Sequence, residues 1–316
     1  MKISTIIPVY NKGDYTKRAV ESAINLDEVA EVILIEDGSN DNSLEVCKKL
    51  SDEFENVHLY THPENKNLGI ANSRNLGIRK AKCDYISFLD ADDWYLKNRF
   101  KDTKKVFMEN PDADGVYDAV GTAFEDEKAA EKWKDFEGEK ILSAPKKKVA
   151  PEDFLYEIIT NWIGTFHTNG IVLKKKVFDK VGYFEKEFEP SEDMHMWIRL
   201  ISVCKLYPAC IDEARAMRYI YRGNTYTKDK KKLFEIRKLY WRKLFDWSIS
   251  NNLSIKNKSL ILLPHLIYKS DLQKDKVTLK NLLKFQINIL ISLIKHPIIT
   301  SVTIFWIIKK MLSLKK

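Results

Sequence analysis

Apolar and polar positions follow two rhythms through the first 120 residues, short apolar runs alternating with stretches of helical spacing. Ile3 to Tyr10 is an apolar run of strand length, and Asp14 is placed to cap a helix running to about Leu26. Val29 to Ile35 predicts a second strand, closed by Glu36-Asp37-Gly38-Ser39, with Asp41 placed to cap the next helix. A third strand is expected over Val57 to Thr61, a helix over Gly69 to Ala81, a fourth strand over Tyr85 to Leu89, and a helix near Tyr95 to Glu109. Strands alternating with helices predict an α/β fold with a mostly parallel sheet and right-handed crossovers.

The pattern then loosens. Residues 122 to 150 are charged and poor in apolar positions, which suits an insertion or a surface helix with a loop. Phe154 to Ile159 reads as a helix, Gly170 to Leu173 as a strand, and Ser191 to Ile201 as a helix with Ser191 as N-cap and acids in its first turn. Residues 229 to 250 form a basic helical stretch. Residues 285 to 308 are apolar but interrupted at Lys295-His296-Pro297, too broken for a simple span of about 20 apolar residues. The expected division is 1–227 for the α/β domain and 228–316 for a helical tail.

Charge sharpens this division. The net charge is +8. From Lys228 to Lys316 there are 20 basic against 5 acidic residues, and the rest of the chain holds 33 against 40. The basic character therefore belongs to the tail. Confined to a segment rich in Ile and Leu, it argues against nucleic acid and for a bent or paired helix lying on an anionic membrane surface. Packing of the tail on the rest of the chain or on a second subunit is the alternative. The four cysteines, Cys47, Cys83, Cys204 and Cys210, show no Cys-x-x-Cys spacing and read as reduced residues of a cytoplasmic protein. The N-terminal apolar run is too short for a signal peptide.

The chemistry gathers at strand ends. In an open α/β sheet, ligands bind outside the carboxyl ends of the strands. Three predicted strands end in Pro8-Val9-Tyr10-Asn11, Glu36-Asp37-Gly38-Ser39 and Asp90-Ala91-Asp92-Asp93. If parallel and adjacent, they converge on one crevice. Acids with Asp-x-Asp spacing at a strand end present oxygens to a hard divalent cation, which in turn neutralises phosphates. Any one of these motifs alone would also suit a solvated turn and helix cap.

Taken together, "STIIPVYN", "IEDGSNDNS", "NLGIANSRNLGI", "FLDADDW" and "SEDMHMWIRL" resemble, in order and spacing, the family 2 glycosyltransferases. The likeness spans roughly residues 1 to 225. It implies a GT-A fold, a nucleotide-sugar donor (often a UDP-sugar), inversion at the anomeric carbon, and a cell-envelope or capsular glycan as acceptor. It further implies that Asp37 bonds the nucleobase, that Pro8 and Tyr10 flank it, and that Arg74 faces the base or the phosphates. Asp90 is implied as the ribose-side acid and Asp92 as the ligand of Mn²⁺ or Mg²⁺. Asp193 is implied as the general base, with Glu192 gripping acceptor hydroxyls. A helix-start carboxylate also suits the helix dipole with no chemistry attached. His167, His195, Trp94 and Trp197 read as ordinary pocket or packing residues.

In one stretch the sequence departs from the pattern. Relatives often carry a histidine after a Tyr-Arg pair downstream of the base, where it joins the metal site; here Tyr221-Arg222-Gly223-Asn224 has none. Either Asn224 or a hydroxyl substitutes, water completes the shell, or metal affinity is lower, with Arg222 an alternative source of positive charge for the diphosphate. A hexosyl- or N-acetylhexosaminyl-transferase on the inner face of the membrane, acting on a glycan or lipid-linked acceptor and open to homo-oligomer formation, is the leading expectation. A non-catalytic nucleotide-sugar-binding subunit of an assembly complex is the alternative. A dinucleotide-dependent dehydrogenase is excluded, because residues 8 to 16 hold one glycine where Gly-x-Gly-x-x-Gly is needed.

Overall fold

The structure is a computed structural model, and it describes residues 1–137, 141–222, 229–272 and 278–313. In chain order the elements are β1 (Ile3–Val9), α1 (Gly13–Ile24), β2 (Val29–Glu36), α2 (Ser43–Glu53), β3 (Val57–Thr61), α3 (Ile70–Lys80) and β4 (Tyr85–Phe88). Next come β5 (Trp94–Tyr95), α4 (Lys101–Glu109), β6 (Gly115–Tyr117), β7 (Ala119–Phe124), α5 (Glu127–Glu137) and β8 (Leu142–Ser143). The remainder is α6 (Pro151–Tyr156), β9 (Ile171–Lys174), α7 (Val177–Val181), α8 (Glu192–Val203), β10 (Leu206–Pro208), β11 (Ala214–Ile220), and helices α9 (Lys230–Ser250), α10 (Ile255–Lys269), α11 (Leu279–Lys295) and α12 (Pro297–Ser313).

These elements form two compact units. The first comprises Met1–Pro151, Ile163–Lys186 and Cys204–Tyr226; the second comprises Glu152–Trp162, Glu187–Val203 and Thr227–Lys316. The second unit thus takes in α8 and the segment from Glu152, which the sequence assigns to the α/β domain.

A seven-stranded sheet of order β10-β6-β9-β4-β1-β2-β3 forms the centre of the first unit. β1 pairs in parallel with both β2 and β4, β2 with β3, and β6 with β10; only β9 runs antiparallel, between β4 and β6. Strands covered on both faces by helices read as continuous apolar runs, and Ile3, Ile6, Ile7, Val9 and Val32 to Ile35 are fully buried. In α1, Thr16, Ala19, Val20 and Ala23 recur at helical spacing and are its buried face. α3 lies close on β1: a Cβ at Gly77 would stand 2.3 Å from Cγ2 of Ile6, so this contact requires glycine. A second sheet, of order β5-β11-β7-β8, stands beside the first.

Several expectations need correction. Asp14 lies inside the first turn of α1, not at its cap; the backbone N–H of Gly13 donates to Asp41 instead. Asn42 is the N-cap of α2, and Asp41 accepts from Ser43 N. The helix expected from Tyr95 starts only at Lys101, because Trp94–Tyr95 pairs with β11 through Ala216 and Met217. The loosely patterned 122–150 region contributes β7, α5 and β8, and β6, β10 and β11 are three further strands that the pattern did not mark. All four cysteines are free thiols.

Candidate functional site

Because β4, β1 and β2 are parallel neighbours, their carboxyl ends lie side by side, in register through Ile6 opposite Phe88 and Val9 opposite Glu36. The next residues extend this alignment: Asp37 N donates to Val9 O at 2.9 Å, and Leu89 N to Ile6 O at 3.0 Å. Pro8, Tyr10, Asp37, Arg74, Asp90 and Asp92 therefore gather in the first unit.

Asp37 is buried, and its two carboxylate oxygens accept from the backbone N–H groups of Leu68 (2.7 Å) and Gly69 (3.0 Å). His62 Nε2 stands 3.5 Å from Oδ1 and 3.0 Å from Ser73 Oγ. The carboxylate so fastens the loop leading into α3, and each oxygen keeps a lone pair for a further donor. Gly38 makes this approach possible: its φ is +69°, and a Cβ there would lie 2.5 Å from Asn65 O. Tyr10 is 42% exposed and Pro8 half-buried at the crevice rim.

Arg74 is buried, and its guanidinium donates to Asp90 Oδ1 at 3.1 Å. Burial works against the charge on Asp90, but Arg74, His167 and Arg218 outweigh it and hold the carboxyl below its usual range. Asp93 is the opposite case. It is buried, and desolvation with the nearby charges of Asp92 and Asp90 raises its pKa well above the ordinary value. It is held by Asn169 Nδ2 (2.6 Å) and Tyr219 N (2.7 Å). Asn169 also accepts from the backbone N–H of Asp90 at 3.0 Å, so one fully buried amide orients both acids.

Ligand atoms of Asp90, Asp93 and His167 lie within 4.8 Å of one another. Two carboxylate oxygens and an imidazole nitrogen suit a divalent cation that accepts both, with Mn²⁺ a better match than Ca²⁺. The residues present therefore fit the implied metal. Asp92, the ligand expected from the sequence, has another partner: Lys12 Nζ at 2.7 Å, with Tyr221 hydroxyl at 3.2 Å. Lys12 also donates to Tyr221. Burial alone would lower the Lys12 pKa, but Asp92 and Tyr221 reverse this and hold it above the usual range. The Tyr221 ring packs on Tyr15 at 4.9 Å and Tyr219 at 5.6 Å, while Arg18 lies 4.1 Å over Trp94 and donates to Asp92 O at 2.7 Å.

Lys12, Asn169 and Tyr221 were not singled out from the sequence, and His167, read there as an ordinary pocket residue, stands instead in the candidate metal cluster. The signal for Tyr221 was period-two spacing with Tyr219 at the end of an unrecognised strand, which puts both on one face. His167 and Asn169 sit on a stretch with no periodicity. Arg222 is exposed and pairs with Asp126 at 2.5 Å. Asn224 lies outside the described residues.

Glu192 and Asp193 open α8 in the second unit; Glu192 is buried and Asp193 partly so. Asp193 Oδ1 accepts from Met194 N at 2.6 Å, which fixes the side chain at the helix start. Ser191 and Met194, on either side of the pair, line a cavity of about 770 Å³ together with Trp162, Arg237, Tyr240 and Trp241. His195 is buried against Phe188, and desolvation, followed by Arg199 and Lys243, holds its pKa well below the usual value. Trp197 is fully buried packing.

Residues 4–182 match the description of glycosyl transferase family 2. An uncharacterized glycosyltransferase of Haemophilus influenzae is 38% identical over 109 residues, which is 34% of this chain and 43% of the relative. Glycosyltransferase GlyG of Streptococcus pneumoniae is 29% identical over 211 residues, covering 63% of this chain and 66% of that one. The chain thus spans less than two thirds of either relative. Among solved structures, S. aureus TarS 1-349 in complex with UDP-GlcNAc superposes with a TM-score of 0.66 at 20% identity, over 90% of this chain and 78% of TarS. At that identity the likeness speaks for the fold, which is GT-A.

Proposed function

The chain belongs to glycosyl transferase family 2, and from that premise we propose that it transfers a hexosyl or N-acetylhexosaminyl group from a UDP-sugar to a hydroxyl of a cell-envelope or capsular glycan, with inversion. The observation that carries this reading is the convergence of Asp37 and the Asp90–Asp93 acids on adjacent parallel strand ends. The UDP-GlcNAc held by TarS supports a uracil nucleotide as the donor's carrier.

In this reading Asp37 accepts from the base while keeping its loop fastened, and Pro8 and Tyr10 flank the ring. Arg74 holds Asp90 ionised on the ribose side. Asp90, Asp93 and His167 would hold a Mn²⁺ or Mg²⁺, and Asp92 would offer a further oxygen once free of Lys12. A bound divalent cation supplies the positive charge that stabilises a departing diphosphate. Lys12, once released from Asp92, would bring its ammonium to the phosphates, and Arg222 would bring its guanidinium on leaving Asp126. Asp193 takes the proton from the acceptor hydroxyl as its oxygen bonds the anomeric carbon. The bond from that carbon to the diphosphate oxygen breaks, and the nucleoside diphosphate leaves with the electron pair. Glu192 orients the acceptor, and the cavity beside it takes the acceptor's apolar part, as a lipid-linked glycan would require.

Thermal unfolding with a panel of nucleotide sugars, with and without Mn²⁺, tests the donor reading. UDP-sugars should raise Tm in a Mn²⁺-dependent way, and Asp92→Ala should abolish the Mn²⁺-dependent part. No nucleotide sugar raising Tm would reject the reading.

A further inference from the structure

The last two helices are inverted in polarity. In α11 the buried side chains are Asn288 and Ser292, while Leu279, Leu283, Leu290 and Ile294 are 73%, 51%, 60% and 83% exposed. In α12, Thr300 and Thr303 are fully buried, and Ile298 and Phe305 are 65% and 59% exposed. A helix facing water places these residue types the other way round.

The inward polar groups make a network. Asn288 Nδ2 donates to Ser270 Oγ at 2.9 Å, Ser292 and Thr300 share a hydroxyl bond of 2.8 Å, and Thr303 donates to Ser259 O at 3.1 Å. Ser259 in turn donates to Ile299 O at 3.0 Å. Small polar residues between helices with apolar side chains outward is the arrangement of helices packed in lipid, where nothing apolar is gained by turning inward. The exposed stripe on α11 follows helical spacing from Leu279 to Ile294, one continuous face.

Charge identifies the occupant. Residues 278–316 contain no Asp or Glu. Lys280 and Lys295 are exposed near the two ends of α11, and Lys284 is held between by Asp271 at 2.7 Å. No helix among the described residues is long and apolar enough to cross a membrane. We propose that the apolar faces of α11 and α12 lie in the interface of an anionic lipid bilayer, with the lysines among the headgroups. A second copy of the chain would bring the same lysines together; an anionic surface neutralises them. This inference stands independently of the catalytic reading.

Co-sedimentation of the full chain with vesicles tests it, comparing phosphatidylglycerol-containing vesicles with purely phosphatidylcholine ones. The wild type should pellet with the anionic vesicles at low salt. Leu283→Asp with Leu290→Asp should cut binding at least tenfold, with an unchanged circular dichroism spectrum and unfolding midpoint, since both sites are exposed. Should that variant fail to fold, Lys280→Gln with Lys295→Gln serves instead, and should weaken anionic binding about 25-fold, from about fivefold per lysine. A wild type that stays in the supernatant with anionic vesicles overturns the proposal. So does equal pelleting of the substituted chains, or a dimer in sedimentation equilibrium that Leu283→Asp disperses without any vesicle binding.

Discussion

Replacing Asp37 by Asn separates what this residue does for the fold from what it does for a ligand. The two carboxylate oxygens receive the N–H groups of Leu68 and Gly69 at 2.7 and 3.0 Å in a buried setting. An asparagine keeps one acceptor oxygen and turns an NH₂ toward the other N–H. One charge-assisted bond is then lost, a buried donor faces another donor, and the second bond weakens to a neutral one. A hydrogen bond to a charged group contributes about 1.5–3 kcal/mol, and stranding a buried donor costs about 1–3 kcal/mol. The expected loss is about 2–3 kcal/mol. Urea unfolding would show it as a lower midpoint at constant slope. The loop into α3 should loosen as well, so amide exchange at Leu68 and Gly69 should accelerate more than at β1. Calorimetry should show UDP affinity falling in the same variant. If stability stays within about 0.5 kcal/mol of wild type, the carboxylate does not fasten the loop as argued.

Three further outcomes are expected. Asp193→Asn should retain donor binding while slowing transfer about 10²-fold or more, the usual scale of a general base; donor affinity falling in step with rate would make Asp193 a binding or structural residue. Asp118→Ala should cost about 3–5 kcal/mol in denaturant unfolding, because it strands Arg99 as a fully buried, unpaired cation; a loss under 1 kcal/mol would contradict this. His265 is half-buried on Phe245, and desolvation, with Lys269 and Arg242 nearby, lowers its pKa to about 4. The unfolded chain therefore takes up this proton first as pH falls below about 6.5. Stability should drop between about pH 6.5 and 4, by at most about 1.4 kcal/mol per pH unit, and His265→Phe should flatten that part of the profile.

The parallel core was legible because its strands are buried on both faces and so appear as unbroken apolar runs, as in Val32 to Ile35. The strands that went unmarked are short or mixed. Gly115–Tyr117 and Leu206–Pro208 have three residues each, and in Ala214–Ile220 two arginines interrupt any alternation. Asp37 and Asp90 stood out because acids directly after apolar strands break the pattern sharply. Lys12, Asn169 and Tyr221 did not, and His167 read as an ordinary pocket residue, because what unites them is tertiary: Asn169 meets Asp90 and Asp93 from nearly 80 positions away. The tail's apolar residues were evident in the sequence. That they face outward was not, since a helical period gives the face and not its direction.

The most direct test of the account is acceptor-dependent release of UDP, followed by NMR of the anomeric proton of the product. The protein would be incubated with Mn²⁺, UDP-sugars in turn, and cell-envelope glycan or lipid-linked glycan acceptors. The account predicts release from one UDP-sugar only when acceptor is present, a product of anomeric configuration opposite to the donor's, and loss of both in Asp193→Asn. Retained configuration, or no transfer from any UDP-sugar while UDP itself binds, would contradict it.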